Sequence, residues 1–300
     1  MAMNKMNVLH WHLVDSEAFP YVSKKFPNLA KTGAYSPKHQ YSPSDVQEII
    51  EFARVRGIRV IPEFDLPGHT GAWQGHPELL TECFDCAGKP TYLPNLVDPS
   101  KNSTFEFLYE FLDEVMTTFP DEFLHLGGDE VEMMRNSNIR KLHGIVRNLK
   151  VKRRTIFWQE VFDNSIPEYD SIIHIWRGRT HQEIMSEVKN VTAKGYNAIV
   201  SACWYLNRIK YGADWKDELK RFNQSDSRYY YCDPTDFEGN DQQKALVLGG
   251  IAAIWGEMVD NTNIESRLWP RASAVAERLW SPKENTKKVH DYFCLNNSNR

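Results

Sequence analysis

The sequence predicts an α/β fold, an incomplete (β/α)8 TIM barrel, on three observations. Short apolar runs that end in polar or charged residues recur seven times along the 300 residues, each followed by a helical stretch. No repeat, low-complexity tract or long linker breaks that order. Chemistry-bearing side chains gather just past the runs, where a barrel of parallel strands presents its active groups. A complete barrel needs one strand more. The shortfall falls at the N-terminus, where Met1 begins inside what should be a helix preceding Asn7, so the expectation is a barrel without its first strand.

The first run spans 7–14. Ser42 then reads as an N-cap, Pro43 as a first-turn proline and Asp45 as the acidic third position, ahead of Val46, Ile49, Ile50 and Ala53 at helical spacing. Gly57 ends that helix before the second run, 59–64. Phe105, Leu108, Phe111, Leu112, Val115, Met116 and Phe119 repeat at helical spacing until Pro120. Runs at 123–126, 155–158, 171–176, 197–201 and 249–255 complete the set. The apolar stripes between them are core, not cofactor boxes.

Composition narrows the function. With 41% hydrophobic and 25% charged residues and a net charge of -4, the chain is globular and lacks the basic footprint a nucleic-acid partner leaves. No apolar run approaches the roughly 20 residues of a membrane span, and polar residues 1–7 carry no signal peptide. Five cysteines give no disulfide framework. Cys83 and Cys86 form a C-x-x-C without a second pair to complete a zinc site, which leaves scattered thiols with at most one local disulfide. Sequons at Asn102, Asn190, Asn223 and Asn296 permit a secretory route.

The strand ends carry the chemistry. His10, His12 and Asp15 close the first run, and Glu63, Asp65 and His69 follow the second. Asp129 and Glu130 follow the third, in His125-Leu-Gly-Gly-Asp-Glu130. Trp158 and Glu160, Trp176, Trp204 and Tyr205, and Trp255 and Glu257 mark the later ones. Tryptophans beside carboxylates suit a sugar: indole faces pack on the C–H face of a pyranose and carboxylates accept its hydroxyl hydrogens. The plain alternative for any one tryptophan is core. Glycoside hydrolysis needs a carboxylic acid kept protonated and something to capture an oxocarbenium-like centre. Asp129 and Glu130 leave one strand end together, so they cannot flank a bond from opposite sides. Two adjacent like charges do raise the pKa of one, which suits a proton donor. Gly127 and Gly128 permit a strained turn and close backbone approach ahead of them.

At these residues the chain resembles glycoside hydrolase family 20, the animal lysosomal-type β-N-acetylhexosaminidases. The matching stretches are Asn4-Lys-Met-Asn-Val-Leu-His-Trp-His-Leu-Val-Asp15, Pro62-Glu-Phe-Asp-Leu-Pro-Gly-His69, His125 to Glu130, Trp158-Gln-Glu-Val-Phe-Asp163, Trp204-Tyr-Leu-Asn-Arg208, Trp255-Gly-Glu257 and Arg267 through Trp280, in family order across nearly the whole chain. The resemblance implies a retaining, substrate-assisted mechanism without cofactor or metal, in which the sugar's acetamido oxygen attacks its own anomeric carbon. Glu130 would protonate the leaving oxygen and then serve as base toward water. Asp129 would hold the acetamido N–H and stabilise the positive charge. Tyr205 would hydrogen-bond the acetamido carbonyl, and Trp158, Trp176 and Trp255 would wall the pocket. Glu257 would bind ring hydroxyls, with Asp15 and His69 orienting the site. Asn207-Arg208 resembles the α-type subunit, and Arg208 would favour negatively charged glycoconjugates. The resemblance further implies a dimeric, lysosomal or secreted glycoprotein acting on terminal β-linked N-acetylglucosamine or N-acetylgalactosamine.

The chain also departs from that pattern. Set against that pattern, the expectation is that the first strand, with its substrate-binding arginine, and the preceding domain are missing from these residues and that the last helix is cut short. The segment after the catalytic pair, 132–154, is shorter by a helix, and with it goes the partner of the cysteine that Cys83 matches. The whole of 1–300 reads as a single truncated catalytic domain. Two alternatives stand beside the enzyme. One is a metal-dependent barrel hydrolase using His10, His12 and His69. The other is an inactive truncated relative that binds carbohydrate or partners, because a barrel lacking a strand exposes two edges.

Overall fold

Residues with opposite needs alternate along the first strand, β1 (Val8–Val14), and parallel pairing fixes them. Val8 lies opposite Arg59 and His12 opposite Glu63 on β2 (Arg59–Phe64). All of β2 after Arg59 is buried, as expected of a parallel strand covered on both faces. Glu63 pairs in register with His125 on β3 (Phe123–His125), and β3 pairs parallel with β4 (Arg154–Trp158). The computed structural model describes residues 1–82, 84–89, 95–130, 135–164, 167–168, 170–208, 229 and 232–282, with the backbone alone at 135–138 and 208.

The chain divides into two compact units, Met1–Ala2 with Met6–Ile172, and Met3–Lys5 with Ile173–Arg300. The first unit holds β1 to β4 with α1 (Asn28–Gly33), α2 (Pro43–Arg54), α3 (Asn102–Thr118), α4 (Arg135–Asn148) and α5 (Gln159–Asp163). Helix α2 starts as predicted: Ser42 caps it, and Ser42 and Asp45 exchange hydrogen bonds in a capping box. The stripe on α3 faces inward, where Phe111 and Leu112 pack with Phe19, Phe64 and Trp73, all fully buried.

Strand β5 (Ile172–Ile175) begins at the boundary of the units, and its four residues are all buried. The second unit continues with α6 (His181–Ala193), β6 (Asn197–Val200), α7 (Asp241–Ala245), β7 (Val247–Gly250), α8 (Ile264–Leu268) and α9 (Arg271–Trp280). Strand β7 is parallel to β6. Each strand after β1 leads into a helix, so the fold is an incomplete (β/α)8 TIM barrel, with seven strands among the described residues.

The last strand lies earlier than the run 249–255 suggested. Ladder pairing with β6 starts at Val247 and ends at Gly250 because β6 itself ends at Val200. Beyond that point, among the described residues, the isolated bridge of Tyr205 to Ala253 continues it. Cys203 and Cys232 form a disulfide in this unit, whereas Cys86 is a free, exposed thiol and Cys83 lies outside the described residues. Among the described residues no helix is long and apolar enough to cross a membrane.

Candidate active site

Parallel register brings the strand-end polar groups of the first unit into one cluster. At its base sits Glu63, fully buried. Its carboxylate accepts from His10 Nε2 at 2.6 Å and from the Trp158 indole N–H at 2.9 Å, with His12 Nδ1 also 2.9 Å away. Burial opposes a charge on Glu63, yet His125, His12 and His10 around it hold the carboxyl well below its ordinary range. His12 carries the balancing charge. Burial works against it, but Glu63 and Asp15 raise it to about 10. Burial pushes His125 the other way, down to about 4, so it stays neutral.

Above this base the backbone turns sharply after β3. Gly127 and Gly128 take φ of 67° and 95°, conformations that L side chains rarely adopt. Space forbids a side chain there as well. A Cβ on Gly127 would fall 1.6 Å from Asp65 Oδ1, and one on Gly128 would fall 2.6 Å from Val161 Cγ2. The turn presents Asp129 and Glu130, the latter also at positive φ, 55°. Their side chains differ in exposure: Asp129 is 12% exposed and Glu130 55%. One carboxyl is shielded and its neighbour is open to a ligand.

His69 joins the pair to Asp15. Its Nδ1 lies 3.2 Å from Asp15 Oδ1, and its Nε2 lies 3.6 Å from Asp129 Oδ2 and 3.8 Å from Glu130 Oε2. The hydrogen bond to Asp15 holds His69 up to about 9 despite burial. Asp15 is kept well below the usual carboxylate range: burial opposes this, but His12 and His69 both donate to it. Burial pushes Asp129 up to about 6 against the pull of His69, and the charges of Glu63 and Glu160 add to the rise. The raised carboxyl of the acidic pair is Asp129, not the residue expected to donate the proton, and burial with the charges of Glu63 and Glu160, rather than the neighbouring acid, raises it. Asp129 can still ionise near neutrality and accept a hydrogen bond.

Of the predicted residues, Asp15, His69, Asp129 and Glu130 come together in the first unit. Trp158 is there too, 3% exposed, with its N–H spent on Glu63 and its ring 4.8 Å from His125. The second unit holds the rest. Trp176 and Tyr205 have ring centroids 6.4 Å apart, and Asn207 Nδ2 is 3.4 Å from Glu257 Oε2. Trp255 is half-buried and precedes the turn that exposes Glu257. Trp204 is core, fully buried and bonded to the Tyr229 carbonyl at 3.2 Å. The side chain of Arg208 lies outside the described residues.

The three imidazoles of the metal reading go to different neighbours. His10 groups with Glu63 and His125, His12 with Glu63 and Asp65, and His69 with Asp65 and Asp129. Among the described residues no compact donor group contains two of them. The sequence places Glu63 and Asp65 at a strand end and by itself gives neither a role. Their i, i+2 spacing, which puts both on one face of a strand, was the available signal.

The chain matches known proteins over most of its length. The family described as Glycosyl hydrolase family 20, catalytic domain, matches residues 1–153 and 133–283. The β-hexosaminidase A of Caenorhabditis briggsae is 63% identical over 97% of this chain and 58% of its own length. The mouse β-hexosaminidase subunit beta is 45% identical over 97% of this chain and 56% of its own. The chain thus spans little more than half the length of these relatives. Among solved structures, a chitobiase of Flavobacterium johnsoniae superposes with a TM-score of 0.76 at 27% identity, covering 96% of this chain and 46% of that one.

Proposed function

Because the chain belongs to glycosyl hydrolase family 20, we propose that it hydrolyses terminal β-linked N-acetylglucosamine or N-acetylgalactosamine by a retaining, substrate-assisted mechanism. The observation that carries this reading is the turn after β3, which holds an exposed Glu130 beside a shielded Asp129 with His69 behind both. Glu130, open to solvent, meets the glycosidic oxygen and protonates it as the acetamido oxygen attacks the anomeric carbon. Asp129 accepts the acetamido N–H and, once ionised, stabilises the positive charge that develops on the ring so formed. Water then opens the ring, with Glu130 taking its proton. His69, fixed by Asp15, keeps the two carboxylates in place.

In the second unit, Trp176, Tyr205, Trp255 and Glu257 are assigned to sugar binding by their match to the family's motifs. Asn207 and Arg208 are assigned to substrate choice, with Arg208 favouring anionic glycoconjugates. The Cys203–Cys232 disulfide supports an oxidising compartment, consistent with a lysosomal or secreted glycoprotein. Dimerisation is assigned on the same family likeness.

The purified chain, assayed on a chromogenic N-acetyl-β-glucosaminide, should release the chromophore. Glu130→Gln should lower kcat by about 100-fold or more, the usual range for a lost general acid. A wild-type chain with no turnover, or a Glu130→Gln variant that equals it, would overturn the assignment.

A further inference from the structure

We propose that Asp65 is a positioning residue for Asp129: a neutral carboxylic acid that donates its proton in a hydrogen bond to the Asp129 carboxylate, fixing that group's direction and charge. The proposal rests on the role given to Asp129 above.

The geometry leads there in steps. Asp65 follows directly on β2 and is 2% exposed. An oxygen of its carboxyl and one of Asp129 lie within 4.8 Å of each other, beside the His69 imidazole. Two carboxylates both lack a hydrogen to share, so a bond between them requires that one be protonated. Asp65 is the one that holds the proton. It stands two residues from the ionised Glu63, on the same face of the chain, whereas Asp129 faces the imidazole of His69. Burial, then the charges of Asp129 and Glu63, raise Asp65 well above the carboxylate range. Among the described residues, Asp15, His12 and His69 also stand around it.

The remaining contacts fit a neutral acid. Asp65 Oδ1 accepts the Gly128 N–H at 3.3 Å, as the carbonyl oxygen of an acid would, leaving the other oxygen to donate. Among the described residues no N–H or hydroxyl reaches the buried Asp129 Oδ1. The acid hydrogen of Asp65 is, among the described residues, a donor placed to reach that carboxyl. The absence of a side chain at Gly127, where a Cβ would lie 1.6 Å from Asp65 Oδ1, lets the backbone close over this bond. The consequence is chemical. A donor locked onto Asp129 aims its remaining lone pairs toward the substrate, and the low-polarity surroundings keep that aim.

Three full-length proteins test this: wild type, Asp65→Asn and Asp65→Ala, each checked by thermal melting. The asparagine amide can accept from Gly128 and donate to Asp129, so it reproduces both bonds; alanine reproduces neither. Asp65→Ala should lower kcat by roughly 10–100-fold, the range for losing a bond to a charged group, with KM changed far less. Asp65→Asn should recover most of that loss. Infrared spectra near neutral pH should show a buried carboxylic-acid C=O stretch in wild type that Asp65→Asn removes. The proposal is overturned if that band is absent from wild type or survives in Asp65→Asn. It is equally overturned if the folded asparagine and alanine variants lose kcat to the same degree. Should Asp65→Ala fail to fold, the band and the Asp65→Asn kinetics decide. Should wild type show no hexosaminidase activity, the function proposed above fails, while the infrared comparison still decides the protonation of Asp65.

Discussion

Trp158 shows how a residue's type can leave part of its work unread. A tryptophan at a strand end suggests a wall for a sugar, and the family likeness assigns it that place. The structure spends its indole N–H on Glu63, with a 2.9 Å bond inside the cluster. Glu63 is a fully buried carboxylate, so each donor it has offsets part of the cost of its charge. Trp158→Phe keeps the aromatic bulk and deletes the donor. It should destabilise the protein by about 1–3 kcal/mol, the range for a buried group left short of a partner. Denaturant unfolding of the two proteins measures it; a change within error would mean that the N–H does not hold Glu63. From sequence, the acidic pair after Gly127-Gly128 was legible because turn chemistry is local. The part played by Asp65 was not, since its bond to Gly128 joins residues 63 positions apart.

At the scale of elements, legibility again tracks locality. Helix α2 could be read to its first residue because Ser42, Pro43 and Asp45 are all within one turn of its start. Strand β7 could not, because the apolar run 249–255 looks continuous and only its partner decides where pairing stops. The Cys203–Cys232 disulfide belongs to the same class. Five cysteines allow several pairings, and among the described residues the fold joins the segment after β6 to the approach to α7 across 29 residues. Closing a loop of that length removes unfolded-state entropy worth roughly 3–4 kcal/mol. Cys203→Ser should therefore lower the melting temperature, and a reducing agent should lower that of wild type but not that of the variant. Insensitivity of the wild type to full reduction, with loss of the bond verified by thiol titration, would remove the stabilising role.

At the scale of the whole molecule, a net charge of -4 says little about pH response, which is set by a few buried groups whose pKa differs between folded and unfolded chains. His12 and His69 are raised from 6.5 to about 10 and about 9, so each adds stability that is complete below 6.5 and disappears as pH climbs through its folded value. Asp129, raised from 3.8 to about 6, adds stability that is lost as pH rises between those values. His125 acts in the opposite sense. Lowered from 6.5 to about 4, it adds stability above 6.5 that is lost as pH falls toward 4. Asp129 and His125 therefore offset each other across nearly the same interval. Below it, the depressed carboxyls of Asp15 and Glu63 withdraw their contribution as they take up protons. With Asp129 and His125 cancelling, Asp65, raised well above 3.8 in the folded protein, decides the interval. The melting temperature should fall as pH rises above about 4, and fall further toward 9 and 10 as the two histidines lose their protons. Melting curves across that range check the shape, and His69→Gln should flatten part of the alkaline decline. Stability that instead climbs steadily from pH 6.5 to 9 would show that His12 and His69 are neutral in the folded protein and that Asp15 and Glu63 draw their stabilisation from elsewhere.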